Sequence, residues 1–268
     1  MGLFRSIANA LVKPLGYTVI KAANSTKTSR STIYKHVSAL NTALRKTLGH
    51  NARKGPFKGA RIIDPETSPV SADYVSRVLG EYELEIQPAI IKGLNGNPDA
   101  VINIGTSDGY YLSCVRHLNS KLPLIGYEIN QDAKAACRRL LGTASNITLK
   151  DAVDRSGLVE DLTAYPTSLV IMDIEGHETI LKEVDPNIFS KATLIIELHE
   201  PLAPGITGQL AEHFANTHTI EVLEQFGRNP FKHDELSEFD SSEKFLLLCE
   251  FRGAHQSWMV ATPNCPSQ

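Results

Sequence analysis

The stretch DAVINIGTSDGYYLSCVRHLNSKLPLIGYE, residues 99–128, decides the fold. It opens with a short apolar run that stops at Gly105. A helical pattern follows over 108–120, and then a second apolar run, 123–128, that stops at an acid, Glu128. Strand, glycine turn, helix and strand within about 30 residues read as one parallel βαβ unit. The same alternation continues. NITLKD (146–151), SLVIMDI (168–174) and ATLIIELHE (192–200) read as further strands, with helices predicted over 131–142, 155–163, 175–184 and 207–217. HTIEVLEQF, EKFLLLCEF and QSWMVATP supply late strands. Five strands alternating with helices call for an α/β sandwich of three layers, with a mostly parallel sheet covered on both faces. Upstream, residues 31–48 form one amphipathic helix, and residues 70–94 form two helical pieces meeting near Gly80.

Sheets of this kind bind ligands outside the carboxyl ends of their strands. The chemistry-bearing residues are phased to that rim: Glu128, Asp151, Asp173, Glu197 and His199 all fall at or near predicted strand ends. The turn from Asn103 to Gly109 offers Asn103, Gly105, Thr106, Asp108 and Gly109 to a ligand, because glycine lets the backbone approach closely and the next helix start presents free N–H groups. An acid about 20 residues further on, here Glu128, suits a pair of ribose hydroxyls, and Asp151 falls where an adenine amine would lie. The turn reads G-x-x-x-G rather than G-x-G-x-x-G, which argues against a nicotinamide-dependent oxidoreductase. The segment VIMDIEGHETILKE (170–183) follows an apolar run with four acids and a histidine, of which Asp173, Glu175, His177 and Glu178 sit within six positions. A polar helix start explains part of this; an active-site edge explains it together with His199.

Composition is that of an ordinary globular chain, 42% hydrophobic and 21% charged. Four widely spaced cysteines without C-x-x-C spacing argue against a zinc site and a disulfide scaffold, and fit a reducing, cytoplasmic setting. The net charge of −3 hides an asymmetry. Residues 1–63 carry twelve Lys and Arg and no acid, whereas the remaining 205 carry fifteen basic and all thirty acidic residues. A basic arm implies either attraction to a polyanion or anionic membrane surface, peripheral to the bilayer, or packing on the chain's own acidic body. MGLFRSIANALVKPLGYTVIKAA (1–23) has the spacing of an amphipathic surface helix broken near Pro14, and its start matches the short M-G-x-x-x-[ST] lipidation pattern. The chain divides into a basic, largely helical extension, 1–68, and a body, 69–268.

Taken together, these motifs resemble the class I S-adenosylmethionine-dependent methyltransferases, and within them the FkbM-like group, over roughly residues 74–262. VLGEYELEI (78–86) is similar to the segment before the first strand of such proteins, VINIGTSDGYY (101–111) to their glycine motif and IGYEIN (125–130) to their ribose acid motif. IMDIEGHE (171–178) followed by LIIELHE (194–200) is the most specific match, and FRGAHQSWMV (251–260) resembles their terminal strands. Thr106-Ser107-Asp108 departs from the Ala-Asn commoner beside the first glycine. The resemblance implies a Rossmann-like fold of seven strands with the last antiparallel. It also implies that Gly105, Asp108, Gly109, Glu128 and Asp151 hold the cofactor, that Asp173 lies near the transferred methyl, and that the acceptor is a hydroxyl of a sugar, glycan or small molecule.

Methyl transfer to a hydroxyl needs its proton removed. His199 has the ordinary pKa for a general base, with Glu197 or Asp173 to orient it. A divalent metal held by Asp173, Glu175, Glu197 and His199 is the second, less favoured option. The alternative function is a non-catalytic cofactor-binding module that docks on nucleic acid or membrane through its basic arm.

Overall fold

The computed structural model describes residues 22–67 and 71–264, with the side chains of 22–31 and 71 left aside. The amphipathic and lipidation readings of residues 1–23 therefore fall almost wholly outside the described residues. Seven strands form one sheet: β1 (Val101–Ile104), β2 (Leu124–Tyr127), β3 (Ile147–Lys150), β4 (Leu169–Met172), β5 (Thr193–Leu198), β6 (His218–Glu224) and β7 (Ser257–Pro263). Their order is β3-β2-β1-β4-β5-β7-β6. β1 to β5 are parallel, and β7 runs antiparallel to both β5 and β6. The result is the Rossmann-like mixed sheet with an antiparallel last strand that the sequence implies.

The two-residue period of the strands sorts their side chains onto two faces. Val101, Leu169, Ile171, Ile195 and Trp258 enter one core. Ile102, Ile104, Val170, Met172, Ile196 and Met259 enter the other. Helices cover both. On the first face lie α1 (Ala22–Leu48), α2 (Tyr74–Val78), α3 (Gln87–Asn95), α4 (Tyr110–Leu118), α5 (Gln131–Leu141) and, later in the chain, α8 (Ser241–Leu247). On the second lie α6 (Arg155–Ala164) and α7 (Ile206–Phe214). β1 sits between β2 and β4, so the chain reverses its direction across the sheet there. That switch opens a crevice at the carboxyl ends of β1 and β4.

The described part of the basic extension is seated in the body. Leu44, Leu48, Ala52, Phe57, Ala60 and Ile62 share the core with β1 and β2. Several of its cations are matched within the chain: Arg45 with Asp64 (2.8 Å) and Glu66 (2.7 Å), and Lys54 with Glu235 (2.7 Å). The segment 81–85 is clamped the same way. Its three buried acids each meet a cation from late in the chain: Glu81 meets Lys232 (2.8 Å), Glu83 meets Arg252 (3.0 Å) and Glu85 meets Arg228 (2.7 Å).

Three expected elements differ. EKFLLLCEF is not a strand; its first half lies in α8, because Asp240 and Glu243 form a reciprocal capping box that starts a helix there. The region 175–184 holds a short 3-10 turn, Glu178–Glu183, rather than an α-helix, since Gly176 (φ +96°) and Glu175 (φ +53°) break the backbone just before it. The run HDELSEFDSSEK (233–244), whose charge predicts a solvated loop, is not one, because His233 and Leu236 are buried and Glu235 is tied to Lys54.

Candidate active site

The crevice is a cleft of about 1150 Å³. Its floor is built from the ends of β1, β4 and β5. The parallel register pairs Ile104 with Met172, so Gly105 and Asp173 leave their strands side by side. Gly105 has φ +83°, and a side chain at its Cα would run into the carbonyl oxygen of Asp173. Glycine is therefore required here both for conformation and for closeness of approach. Five non-glycine residues among those described have positive φ, and four of them, Glu83, Ser107, Glu175 and Phe251, line this cleft. Costly backbone conformations gather where a site needs them.

The sequence-predicted residues divide in two. Gly105, Glu128, Asp151, Asp173, Glu197 and His199 all line the cleft. Glu128 also shapes it: its carboxylate accepts from the N–H of Ser107 (2.8 Å) and of Asn130 (2.7 Å). Asp151 is at the exposed rim, held below its ordinary pKa by a hydrogen bond from Lys134 (2.6 Å) and another from Gln131. Asn103, Thr106 and Asp108 line a smaller cavity that adjoins the cleft and shares Gly105, Ser107 and Asp173 with it, and Gly109 lines neither. Asn103 donates to the Ile171 carbonyl (3.2 Å), and Thr106 is buried. Asp108 is fully buried and accepts from Arg77 through both oxygens (2.9 and 2.8 Å). Gly109 (φ +91°) makes room for Cys137, whose sulfur would meet a side chain there.

His199 is the centre of the cluster. Its side chain is 9% exposed, and Nδ1 lies 2.7 Å from Oε1 of Glu178, a fully buried carboxylate. Nε2 faces Glu175 (3.5 Å) and Asp173 (3.6 Å). Burial disfavours the charged ring, but the Glu178 bond and the charges of Asp173, Glu178 and Glu175 outweigh it, so the His199 pKa is raised. For Glu178, burial pushes up and the His199 bond with the Gly176 N–H pulls down harder, leaving it lowered. Asp173 is pushed up to about 7, first by desolvation and then by Glu83. Glu197 is raised well above its ordinary value by burial, then by Asp173 and Glu83. Arg252 offsets this negative charge, bonding Glu197, Glu83 (3.0 Å) and Glu250 (2.7 Å) while its guanidinium lies 4.8 Å from the Trp258 ring centroid. Above the cleft, Tyr34 of α1 packs on Phe251 with ring centroids 4.7 Å apart.

Sequence reasoning missed Glu178 as the partner of His199, although it stands in the quoted acidic segment three residues after Glu175. It also missed Arg252, Glu83 and Tyr34, for which no local signal exists.

No family model and no curated protein matches the chain. Solved structures that it is similar to include the methyltransferase domain of bacterial CtHen1, at 17% identity and TM-score 0.39 over 68% of this chain and 99% of that one. A precorrin-6y C5,15-methyltransferase from Geobacter metallireducens aligns at 15% identity and TM-score 0.43, over 65% and 87%. A fibrillarin/Nop5p complex aligns at 14% identity and TM-score 0.42, over 80% and 91%. The chemistry of the present chain is read from its own side chains.

Proposed function

We propose that this chain is an S-adenosylmethionine-dependent methyltransferase acting on a hydroxyl, of a sugar, glycan or small molecule. The observation that carries the reading is convergence. A glycine turn, a ribose-type acid and an imidazole–carboxylate cluster, remote in sequence, line one cleft at the strand-order switch. The residues present fit the cofactor. Gly105 lets the turn close onto Asp173 where any side chain would collide with its carbonyl, and Glu128 retains lone pairs for two hydroxyls beside the apolar Ile129 and Val153. The cleft is larger than the roughly 300–1000 Å³ usual for one ligand, which leaves room for an acceptor. Its carboxylates and His199 suit a polyhydroxylated one.

Bound there, S-adenosylmethionine supplies an electrophilic methyl group. The chain's share is positioning, charge control and removal of a proton. Holding an acceptor oxygen in line at roughly 3–3.5 Å accounts for much of such a rate. Arg252 keeps Glu197 and Glu83 from acting as bare negative charge, which would hold a sulfonium in its ground state. Asp173 and His199, neighbours on the cleft floor, are the residues assigned to the hydroxyl.

Incubating the chain with methyl-labelled cofactor and a panel of sugars and phenols tests the reading. The Asp173→Ala, His199→Ala double variant is expected to lose at least ~10³-fold in turnover. Undiminished label transfer by it would remove both residues from the mechanism. Glu128→Ala is expected to weaken cofactor binding roughly 10- to 100-fold by calorimetry, the worth of one or two charge-assisted hydrogen bonds. NAD is expected to give no heat, and a response to NAD alone would favour an oxidoreductase.

A further inference from the structure

We propose that Asp173, Glu175 and His199 form a divalent-cation site on the cleft floor. The inference rests on the methyltransferase reading only for the use made of the cation, not for the site itself. One carboxylate oxygen from each acid and one nitrogen of His199 lie within 4.8 Å of one another. The His199 side chain is more than nine-tenths buried, and its Nε2 makes no hydrogen bond with any described residue. It is aimed at two carboxylate oxygens at 3.5 and 3.6 Å. Those separations are too long for hydrogen bonds. They match neighbouring ligand atoms around one cation bound at roughly 2.1–2.3 Å, which stand about 3–3.5 Å apart.

Two further observations point the same way. Oδ1 of Asp173, the oxygen facing His199, is shut off from solvent and has no hydrogen-bond partner among the described residues. A buried acceptor left so is costly unless something else occupies its lone pairs. Glu178, fully buried, meets Nδ1 of His199 at 2.7 Å. A carboxylate on one ring nitrogen fixes the tautomer and turns the other nitrogen's lone pair outward, the arrangement that supports metal-bound histidines. Two carboxylates and one imidazole are oxygen-rich with one borderline nitrogen, which favours Mn²⁺ over Mg²⁺ and disfavours thiophilic ions.

The cation explains how the acceptor hydroxyl reacts. A hydroxyl beside it is acidified, and His199, with Nε2 on the cation and Nδ1 on Glu178, then acts through the metal rather than as the base. Its proton leaves to water through the open cleft, a bond forms between the acceptor oxygen and the methyl carbon, and the bond from that carbon to sulfur breaks. The positive charge on sulfur is lost as one proton is released, so charge balances without any oxidant.

Mn²⁺ titrated into the full chain, with the free ion followed by electron paramagnetic resonance, tests the site. One ion per chain is expected. His199→Gln and Asp173→Asn, each verified as folded by circular dichroism, are expected to weaken binding at least ~10-fold. Because either variant can disturb the fold, the wild-type chain is also read by NMR. Mn²⁺ is expected to broaden the His199 ring signals and to spare those of His218, which bonds the Ala192 carbonyl at the opposite rim. No stoichiometric Mn²⁺, or equal broadening of both rings, overturns the site. Cofactor binding by a chain that takes up no Mn²⁺ overturns the cation and leaves the methyltransferase reading. Mn²⁺ binding without cofactor binding overturns that reading and leaves the cation.

Discussion

Gly105→Ala is expected to abolish measurable cofactor binding, a loss of at least ~100-fold, and to lower stability by about 3 kcal/mol. Two costs add. At φ +83° an L-residue is strained by roughly 1 kcal/mol. The larger cost is steric. The new methyl group would overlap the carbonyl oxygen of Asp173 and come within 3.2 Å of Cγ2 of Ile174. That oxygen belongs to backbone that cannot rotate aside as a side chain would. Asp173 donates its N–H to Ile104 (2.9 Å) and Gly105 donates to Tyr127 (2.9 Å), so three strand ends are tied at this point. Room for the methyl comes only by parting β1 from β4, which moves Asp173 and the cleft floor together. Gly142→Ala is the control. It also has positive φ, +66°, but no atom of the described residues lies within 4 Å of the added atom. It is expected to cost about 1 kcal/mol and to leave cofactor affinity unchanged. Calorimetry and urea denaturation of both variants separate strain from collision. Equal effects at the two positions would show that the approach of Gly105 to Asp173 is not what the site needs.

The strands that meet at this point were legible because burial on both faces leaves β1, β4 and β5 as largely apolar runs, and because each run stops at a glycine, an acid or a histidine. The antiparallel end of the sheet was only half legible. Phe245-Leu246-Leu247-Leu248 is as apolar as a strand, and a run of that length does not distinguish strand from helix. The capping pair Asp240 and Glu243 decides it, and only Leu247 and Leu248 of the four are buried. At the site, the acids at strand ends were legible because strand phasing alone brings them to one rim. Their partners were not. Arg252 gathers carboxylates from positions 83, 197 and 250, and Arg77 reaches Asp108 across 31 residues. Whether a given acid faces a ligand or a cation depends on those distant choices. Asp108 shows the difference: it sits in the glycine turn, yet both of its oxygens are taken by Arg77.

Arg252→Met is expected to destabilise the chain by about 3–5 kcal/mol at pH 8 and by clearly less at pH 5.5. Methionine keeps an apolar chain over Trp258, so the loss reports mainly on charge. Glu250 retains Arg228 at 2.7 Å. Glu83 and Glu197, both buried, retain no ion pair with Lys or Arg among the described residues. Burial first, then Asp173 and Glu83, already hold the Glu197 pKa well above its ordinary value, with Arg252 pulling down. Without Arg252 it rises further. A carboxyl whose pKa is higher in the folded than in the unfolded chain binds its proton more tightly when folded. Its contribution to stability is therefore present at low pH and lost as pH rises from the unfolded pKa, about 4.3, through the folded one. The variant's deficit must consequently grow with pH across that window. Arg252→Lys is expected to fall between, because a single ammonium cannot bridge three carboxylates as a planar guanidinium does. Urea midpoints at the two pH values measure this directly. A deficit independent of pH would mean that Arg252 acts through its packing on Trp258 and not as the counter-charge that lets four acids share one floor.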